Sequence, residues 1–429
     1  MLFKKQVYKC LFSTKNALKS PLLTRDFIYD RLYNSSSGYF CKDNIQIGEL
    51  QTPINFTELI GFEDYQKILS ERYPKNAWLT PSEIFKPYYG MSIGNYIHQN
   101  FDTKLKEETQ KQKIQNQSNL LLKRNKKIRI IEVGAGHASA CESILNFFKN
   151  YEHFHYQNME YTIVEISPQM CKKAALKLKQ DHQKLLERGQ IKIINEDFLN
   201  YKVINKNEEY YVIFLEVLDN MPHDRVYEGK YESLVQFSDQ FGNENLKEIQ
   251  QEIKDDLIKE IMEYYNSLPE IDHIEEKKYS YSFLQNIINI YYRQKRENVF
   301  VPTFFLKTLK HIKQNIPNHK IILSDFDSLN QKEQIGKNAP IVSKKLEKSH
   351  EKLDYDTYLV KRGEADIFFP TNFRFIQHMY KQIMGKNGMA LKSYQFMNLY
   401  SRQQWTETKS GYNPLKEDFG NTSFFITEK

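Results

Sequence analysis

The chain has 429 residues, 40% of them hydrophobic and 14% aromatic, so it can bury a sizeable core in one large domain with elaborations or in two domains. Its formal net charge is +7. Lys outnumbers Arg by about four to one, however, and Arg is the residue favoured for base and bidentate phosphate contacts, so we expect no nucleic-acid partner. The four cysteines are far apart and form no C-x-x-C pair, which opposes a zinc site or a disulfide framework, and we predict no metal ligands.

The first 25 residues are basic and contain no acidic residue. Their apolar residues recur at near-helical spacing: Leu2, Phe3, Val7, Tyr8, Leu11 and Phe12. This pattern is typical of a mitochondrial presequence, so we predict a targeting presequence over residues 1–25 and a mitochondrial location, in the matrix or at the inner membrane. A basic surface helix is the alternative. No run of eighteen apolar residues exists, so we predict no membrane span.

Residues 26–127 are predicted to form an N-terminal cap and a charged linker. The cap would contain a short helix, a turn at Gly38 and the segment from Pro81 to Gly90. Residues 102–127 are rich in charge, which favours a surface helix or a linker.

The segment from Arg129 to Cys141 predicts a buried strand, a tight turn and a helix N-terminus. Gly134 and Gly136 allow backbone angles that other residues avoid, and the free N–H groups of the following helix point at whatever binds there. The sixth position of a dinucleotide fingerprint is Ser139, so a nicotinamide or flavin cofactor fits poorly. The pattern acidic-x-Gly-x-Gly, with Glu132 as the acid, fits a methyltransferase turn better. An ordinary strand-turn-helix without ligand is the alternative.

Two further apolar strands follow at regular spacing. The strand from Tyr161 ends at Glu165, where a doubly wound sheet places an acid that accepts hydrogen bonds from a ribose. Ser167 and Pro168 then predict a helix start, with Ser as N-cap. A third strand begins at Ile191 and leads to an acidic loop at Asp197 and Phe198, the expected place for adenine contacts.

A fourth strand, from Tyr211, ends at Glu216 and is followed by Asp219 and Pro222. Four such strands, each ending in polar or glycine residues, favour a cofactor crevice at the edge of a doubly wound sheet. A carboxylate pair that caps loop amides explains Glu216 and Asp219 nearly as well.

The rest of the chain completes an α/β domain predicted over residues 128–429. Apolar residues over 243–266 recur at helical spacing, which predicts a long amphipathic helix at the start of a helical insertion over residues 243–300. Residues 328–355 are polar and Lys-rich, which predicts a flexible insertion. Residues 356–429 would add the final strands.

These motifs together resemble a family, the mitochondrial complex I assembly methyltransferases and the bacterial MidA-like proteins. The family's E-L-G-P-G-R-G-T is matched by the residues from Glu132 to Ser139, and its H-L-V-E-x-S by those from Thr162 to Ser167. Its N/H-E-F-F-D-A-L-P is matched from Leu215 to Pro222, and its F-I-T-S-P-E-I-S-Q-x-F-G from Leu79 to Gly90. The matches run in order from about residue 26 to the C-terminus.

The resemblance implies a fold and a cofactor. The fold would be an α/β class I methyltransferase sheet, Rossmann-like, with helices on both faces, an N-terminal cap and inserted helical segments. The cofactor would be S-adenosylmethionine. Its binding residues would be the glycine turn with Glu132, Gly134, Gly136 and Ala138, then Glu165 at the ribose, Asp197 and Phe198 at the adenine, and Thr80, Ser82 and Glu83 from the cap.

The resemblance also implies a reaction, the methylation of a protein arginine during assembly of respiratory complex I. Two carboxylates can hold a guanidinium bidentately and take up its charge, so Glu216 and Asp219 are the predicted catalytic pair, with Pro222 fixing their loop. The partner would be a protein substrate or the subunits of a mitochondrial inner-membrane complex.

Two alternatives remain open. The chain could be a catalytically inactive subunit of an inner-membrane complex such as ATP synthase or a respiratory complex. Ala138 in place of the family's last glycine, the missing G-D-F motif before the cap segment and the long charged insertions favour that reading. The other alternative is a methyltransferase for a small molecule or a lipid, but a carboxylate-rich loop suits a cation better.

Overall fold

A computed structural model describes the larger part of the chain. The described ranges are residues 21–42, 47–114, 126–240, 243–269, 298–329, 336–346 and 351–428. Most of the predicted presequence therefore lies outside the described residues, as does the segment 270–297 of the predicted helical insertion.

Helices and strands alternate through most of these ranges. The described α-helices are α1 Thr24–Tyr33, α2 Phe62–Arg72, α3 Pro81–Ile84, α4 Tyr88–Ile114, α5 Ser139–Tyr151, α6 His153–Asn158, α7 Pro168–Glu187, α8 Asp256–Asn266, α9 Thr303–Asn315, α10 Phe373–Met384, α11 Ser393–Tyr400 and α12 Pro414–Glu417. The described strands are β1 Leu22–Leu23, β2 Arg129–Val133, β3 Glu160–Glu165, β4 Ile191–Asn195, β5 Tyr210–Leu215, β6 Asp224–Tyr227, β7 Tyr231–Gln240, β8 Asn243–Glu252, β9 Asn298–Val301, β10 His319–Phe326, β11 Ile341–Lys345, β12 Lys352–Tyr355, β13 Asp366–Phe368, β14 Gly388–Lys392 and β15 Thr422–Thr427.

Seven strands form the central sheet, in the order β14-β15-β10-β5-β2-β3-β4. The five strands from β10 to β4 are parallel neighbours, whereas β15 runs antiparallel between β10 and β14. The central strands are almost continuously apolar because both faces of a doubly wound sheet are covered. The carboxyl ends of the parallel strands share one edge, where such sheets bind their ligands.

Helices cover both faces of this sheet, so the predicted fold class is confirmed. Successive residues of a strand point to opposite faces. Ile130 accordingly packs into one core cluster and Ile131 into another. Helices α4, α5 and α7 contribute to the first cluster, and α8, α9 and α10 to the second. A third cluster lies between α1 and the strands β11 and β13.

The predictions for the first half of the sheet are confirmed at the level of elements. All four predicted strands are present, as β2, β3, β4 and β5. Ser167 caps α7, since its Oγ accepts a hydrogen bond from the backbone N–H of Met170 at 3.5 Å, and Pro168 is the first helical residue. Local signals decide these elements because each combines an apolar run with a defined start or stop.

The predicted long helix over 243–266 is wrong in its first half. Residues Asn243–Glu252 form β8, which pairs antiparallel with all ten residues of β7, and only Asp256–Asn266 is helical. The spacing of Leu246 and Ile249 suits a helix, but both also face apolar residues of β7, Phe237 and Leu234. The partner strand overrides the local pattern, as tertiary context commonly does.

The predicted flexible insertion over 328–355 is also partly wrong. Its described residues include β11 and β12, which form a three-stranded sheet with β13. Ala339 and Val342 are buried in the third core cluster, so this polar segment has apolar anchors that a composition argument overlooks.

Helix α1 is the predicted short helix of the cap. Arg25 fixes it, because its guanidinium donates to Asp224 at 2.7 Å and to both carboxylate oxygens of Asp255 at 2.9 and 2.6 Å. The charged segment after residue 102 is helical as far as Ile114, and residues 115–125 lie outside the described residues. No described helix is long and apolar enough to cross a bilayer.

Candidate functional site

A cleft of about 880 Å³, which includes space open to solvent, lies at the carboxyl ends of β2, β3, β4 and β5. The residues that line it come from the glycine turn, the ends of β3 to β5, helix α1 and helix α9: Gly134, Gly136, Glu165, Ser167, Asp197, Phe198, Glu216, Asn220, Tyr29, Tyr33 and Phe304 among them.

The glycine turn leaves room where other residues would fill it. Gly134 and Gly136 have φ values of 68° and 52°, the left-handed region that glycine adopts without strain. A Cβ on Gly134 would lie 2.9 Å from Val217, so the turn and the loop after β5 approach closely. Gly136 lines the cleft, and a Cβ added to it would meet nothing within 4 Å. We call this open position the cradle, because a larger side chain here would fill the space left for a ligand.

Glu165 joins the turn to the next helix from the end of β3. Its Oε2 accepts the backbone N–H of Gly136 at 3.1 Å, and its Oε1 accepts that of Ser167 at 2.8 Å. Burial raises the pKa of Glu165. A carboxylate has about four lone-pair sites, so Glu165 can also accept hydrogen bonds from a ligand in the cleft.

Asp197 and Phe198 border the cleft beyond β4. Asp197 Oδ1 caps the short 3₁₀ turn by accepting from the Leu199 N–H at 2.9 Å, and its Oδ2 accepts from the Tyr29 hydroxyl at 2.7 Å. Phe198 is 7% exposed. The loop therefore offers an acid and an aromatic ring beside the open space.

Glu216 borders the cleft at the end of β5 and is held in an unusual backbone conformation. Its φ is 54°, which costs energy for a non-glycine residue and is often found at functional sites. Its carboxylate accepts hydrogen bonds from the backbone N–H and the hydroxyl of Ser82, at 3.1 and 3.0 Å. Burial raises the pKa of Glu216 to about 7 despite these donors.

Asp219 is not among the residues that line the cleft. It is 7% exposed, and its Oδ1 makes no hydrogen bond within the described part of the chain. Burial and then the nearby Asp325 raise the pKa of Asp219 well above its usual value. Burial raises the pKa of Asp325 as well, to about 7, although Asp325 accepts three backbone N–H groups, those of Leu218, Asp219 and Phe326, which favour its ionised form. Asp219 is thus a buried acid behind the loop, where burial disfavours its ionised form.

Two residues of the predicted cofactor set lie behind the turn. Glu132 is 2% exposed and accepts a hydrogen bond from the Tyr161 hydroxyl at 2.7 Å, and burial raises its pKa to about 7. Ala138 is fully buried at the start of α5, with a φ of 60°. Neither residue lines the cleft, so the methyl group of Ala138 does not occupy it.

Thr80, Ser82 and Glu83 of the cap hydrogen-bond among themselves or to residues on either side of the cleft, but they do not line it. Thr80 Oγ1 lies 3.0 Å from the Ser82 hydroxyl, which in turn donates to Glu216. Glu83 is 3% exposed and accepts from the Ser139 hydroxyl and from Lys86, both at 2.5 Å, and from the Leu50 N–H at 2.7 Å. Glu83 therefore holds the cap against the start of α5.

An aromatic wall of the cleft was not predicted from the sequence. The ring centroid of Tyr29 lies 5.3 Å from that of Tyr33 and 5.5 Å from that of Phe304. The ring centroids of Tyr33 and Phe40 are 5.5 Å apart. Tyr29 and Tyr33 lie in α1 and Phe40 follows it, so the short helix predicted for the cap is the signal that could have assigned them. Their contact with the cleft depends on the long-range docking of α1.

Comparisons with known proteins indicate a family and a fold. A family model described as "Putative S-adenosyl-L-methionine-dependent methyltransferase" matches residues 111–390. Among solved structures, a COG1565 superfamily member from Burkholderia thailandensis, crystallised with S-adenosyl-homocysteine, has a TM-score of 0.57 at 11% identity, covering 95% of this chain and 88% of its own. The glycopeptide N-methyltransferase MtfA, crystallised with S-adenosyl-L-methionine, has a TM-score of 0.32 at 8% identity, covering 72% and 83%. No curated protein matches the chain by sequence.

Proposed function

The chain belongs to the family of S-adenosyl-L-methionine-dependent methyltransferases, and from this premise we propose that it methylates an arginine side chain of a protein in a mitochondrial respiratory complex. The observation that supports this proposal is one cleft that combines a glycine cradle, a carboxylate with a pKa near 7 and an aromatic wall. Methyl transfer with S-adenosylmethionine as cofactor follows from membership of the family; the arginine substrate and the location are the proposal.

The residues of the cleft fit this cofactor. The open cradle at Gly136 and the backbone N–H groups at the start of α5 suit its amino-acid end, since a helix N-terminus attracts a carboxylate. Glu165, Asp197 and Phe198 line the cleft; Glu165 would accept hydrogen bonds from the ribose, and Asp197 and Phe198 would contact the adenine. The bound cofactor supplies an electrophilic methyl group on a positively charged sulfur.

The opposite end of the cleft suits a cationic substrate. A guanidinium is planar, stacks on aromatic rings and binds carboxylates, so Tyr33 and Phe40 can face its plane while Glu216 accepts its N–H groups. Methylation of a guanidinium nitrogen would require that nitrogen to release a proton. Glu216 is the acceptor we propose, because a pKa near 7 allows it to take up a proton and return it to water.

A labelled-methyl assay tests the substrate class. Full-length protein is incubated with methyl-labelled S-adenosylmethionine and purified subunits of respiratory complexes, beside an arginine peptide and the same peptide with Lys or Gln at that position. We expect label in acid-stable methylarginine only. Label in lysine, in a carboxyl ester or in a small molecule would contradict the arginine proposal while leaving methyl transfer intact.

The location needs a separate test. A tagged full chain should fractionate with the mitochondrial matrix or inner membrane, and a chain lacking residues 1–20 should remain in the cytosol. The deletion stops there because Leu22–Leu23 forms β1 and Arg25 fixes α1. If the shortened chain still reaches the mitochondrion, the basic segment is not the targeting signal.

A further inference from the structure

A group of metal-ligand side chains lies outside the cofactor cleft, where α4 crosses the corner between α5 and α6. Its members are His98 of α4, Glu152 at the corner and His155 of α6. One potential ligand atom from each side chain lies within 4.8 Å of the others. None of the three lines the cleft. With 13 residues at about 1.5 Å each, α5 separates this corner from the glycine turn by roughly 20 Å.

We propose that His98, Glu152 and His155 bind a zinc ion that fastens α4 to the α5–α6 corner. Two imidazoles and one carboxylate are a ligand set that zinc uses, and imidazole nitrogen is a poor match for Mg²⁺ or Ca²⁺. Glu152 and His155 are three residues apart, so one short segment supplies two ligands and α4 supplies the third.

The spacing of the ligand atoms suits this ion. A tetrahedral site with bonds of about 2.0–2.2 Å places its ligand atoms roughly 3.3–3.5 Å apart. His98 Nε2 and Glu152 Oε1 are already 3.2 Å apart. The third ligand atom would need to move by about 1 Å, which a side-chain torsion at a half-exposed site allows.

The protein alone does not satisfy His98. Its Nδ1 is buried and has no hydrogen-bond partner in the described ranges, although Nε2 faces Glu152. Nε2 is therefore the atom that would bind an ion beside Glu152, and a zinc ion there would hold the ring without satisfying Nδ1.

The surroundings support a bound cation as well. Asp102, one helical turn after His98 on α4, lies 3.6 Å from His155 Nε2 and can orient that ring as carboxylates do beside metal-bound histidines. Phe101 and Phe154 contact the His155 ring edge-on and limit its exposure to water.

A pair of hydrogen bonds is the competing explanation. In that arrangement one N–H of each ring donates to a carboxylate, His98 to Glu152 and His155 to Asp102, and no metal is needed. The two explanations differ in whether the protein binds one Zn²⁺ ion in a saturable way.

Metal titration of the full-length, tag-free protein tests the proposal. After treatment with a chelator, the protein is titrated with Zn²⁺ by calorimetry at pH 7.5, and its melting temperature is measured with and without excess Zn²⁺. We expect one ion per chain and a rise of several degrees in melting temperature. Substitution with Co²⁺ should add the visible absorption of a four-coordinate nitrogen and oxygen site.

Variants distinguish this site from adventitious binding. Glu152→Gln and His155→Ala should each weaken Zn²⁺ binding by at least 100-fold, and Glu152→Gln keeps nearly the same shape if the alanine variant does not fold. His153→Ala is the matched control, because His153 is exposed and adjacent to Glu152. The hydrogen bond described for its side chain is to Gln157, not to a proposed ligand. Absence of saturable binding, or equal binding in Glu152→Gln and wild type, would overturn the proposal. S-adenosylmethionine binding is measured on the same samples, so a failed zinc site is not confused with a failed cofactor site.

Discussion

The two sides of the cleft hold their carboxylates in different ways. On the glycine-turn side, Glu165 accepts two backbone N–H groups and ties the turn to α7. On the other side, Glu216 borders the cleft with a pKa near 7, and Asp219 is buried behind it without a partner for Oδ1 in the described structure. From this contrast we propose that the first side holds the ligand and that Glu216 on the second side accepts a proton.

The largest expected effect comes from breaking the second side alone. Glu216→Gln keeps the shape of the side chain but removes the proton acceptor, so methyl transfer should fall by 10²-fold or more while the Kd of S-adenosylmethionine changes less than threefold. Single-turnover transfer and calorimetry measure the two quantities. Glu196→Gln, another acid bordering the cleft, is the control and should keep near-normal transfer. Equal loss in both variants would contradict a specific role for Glu216.

Filling the cradle should break the first side. Gly136→Leu places a side chain in the open space of the cleft, so S-adenosylmethionine binding should weaken by more than 100-fold. Gly189→Leu is a matched control, since Gly189 also has a positive φ, 69°, and no neighbour within 4 Å of its Cβ, but does not line the cleft. Circular dichroism checks that both variants fold. Similar loss of binding in both would mean that backbone strain, and not the cradle, explains the effect.

The pH dependence of transfer sharpens the comparison. Glu216 can accept a proton only when ionised, and burial raises its pKa to about 7. The turnover number should therefore rise as pH increases toward 7 and should fall about tenfold per pH unit well below it. Glu216→Gln should lack this limb. A flat wild-type profile between pH 5.5 and 8 would contradict the proposed proton acceptor.

The smallest expected effect concerns Asp219. Because its pKa is raised in the folded state, folding favours the protonated form, and the free energy of unfolding falls as pH rises above the unfolded value of about 3.9. Asp219→Asn removes that cost and should stabilise the protein at pH 8 by roughly 1–3 kcal/mol, with little gain near pH 4. Denaturant unfolding at the two pH values measures this difference. Burial also raises the pKa of Asp325, to about 7, but both of its oxygens accept backbone N–H groups. Asp325→Asn should therefore destabilise the protein, because the amide NH2 would face at least one of these donors.

The sequence predicted the half of the fold that local signals specify. Strands β2 to β5, the turn at Gly134 and the cap at Ser167 each combine an apolar run with a local start or stop. The spacing of Leu246 and Ile249 predicts a helix where the structure has strand β8. The pairing with β7 overrides this local pattern and cannot be read from a short stretch of sequence.

The candidate site was only partly predictable for the same reason. The pattern from Glu216 to Asp219 places both acids on one loop, but a three-residue spacing does not reveal which one faces the cleft. The positive φ of Glu216 and the pairing of Asp219 with Asp325, 106 residues away, decide that. The aromatic wall from α1 and the histidine cluster also depend on contacts between distant segments.

A crystal structure of the full chain with S-adenosyl-homocysteine tests the central claim most directly. The account predicts the amino-acid end at the Gly134–Gly136 turn, the ribose hydroxyls within hydrogen-bond distance of Glu165, and the sulfur nearer to Glu216 than to Asp219. A ligand that lies elsewhere would contradict the division of the cleft into a side that holds the cofactor and a side that accepts the proton. So would a sulfur that faces Asp219 while Glu216 stays hydrogen-bonded to Ser82 and distant from the sulfur.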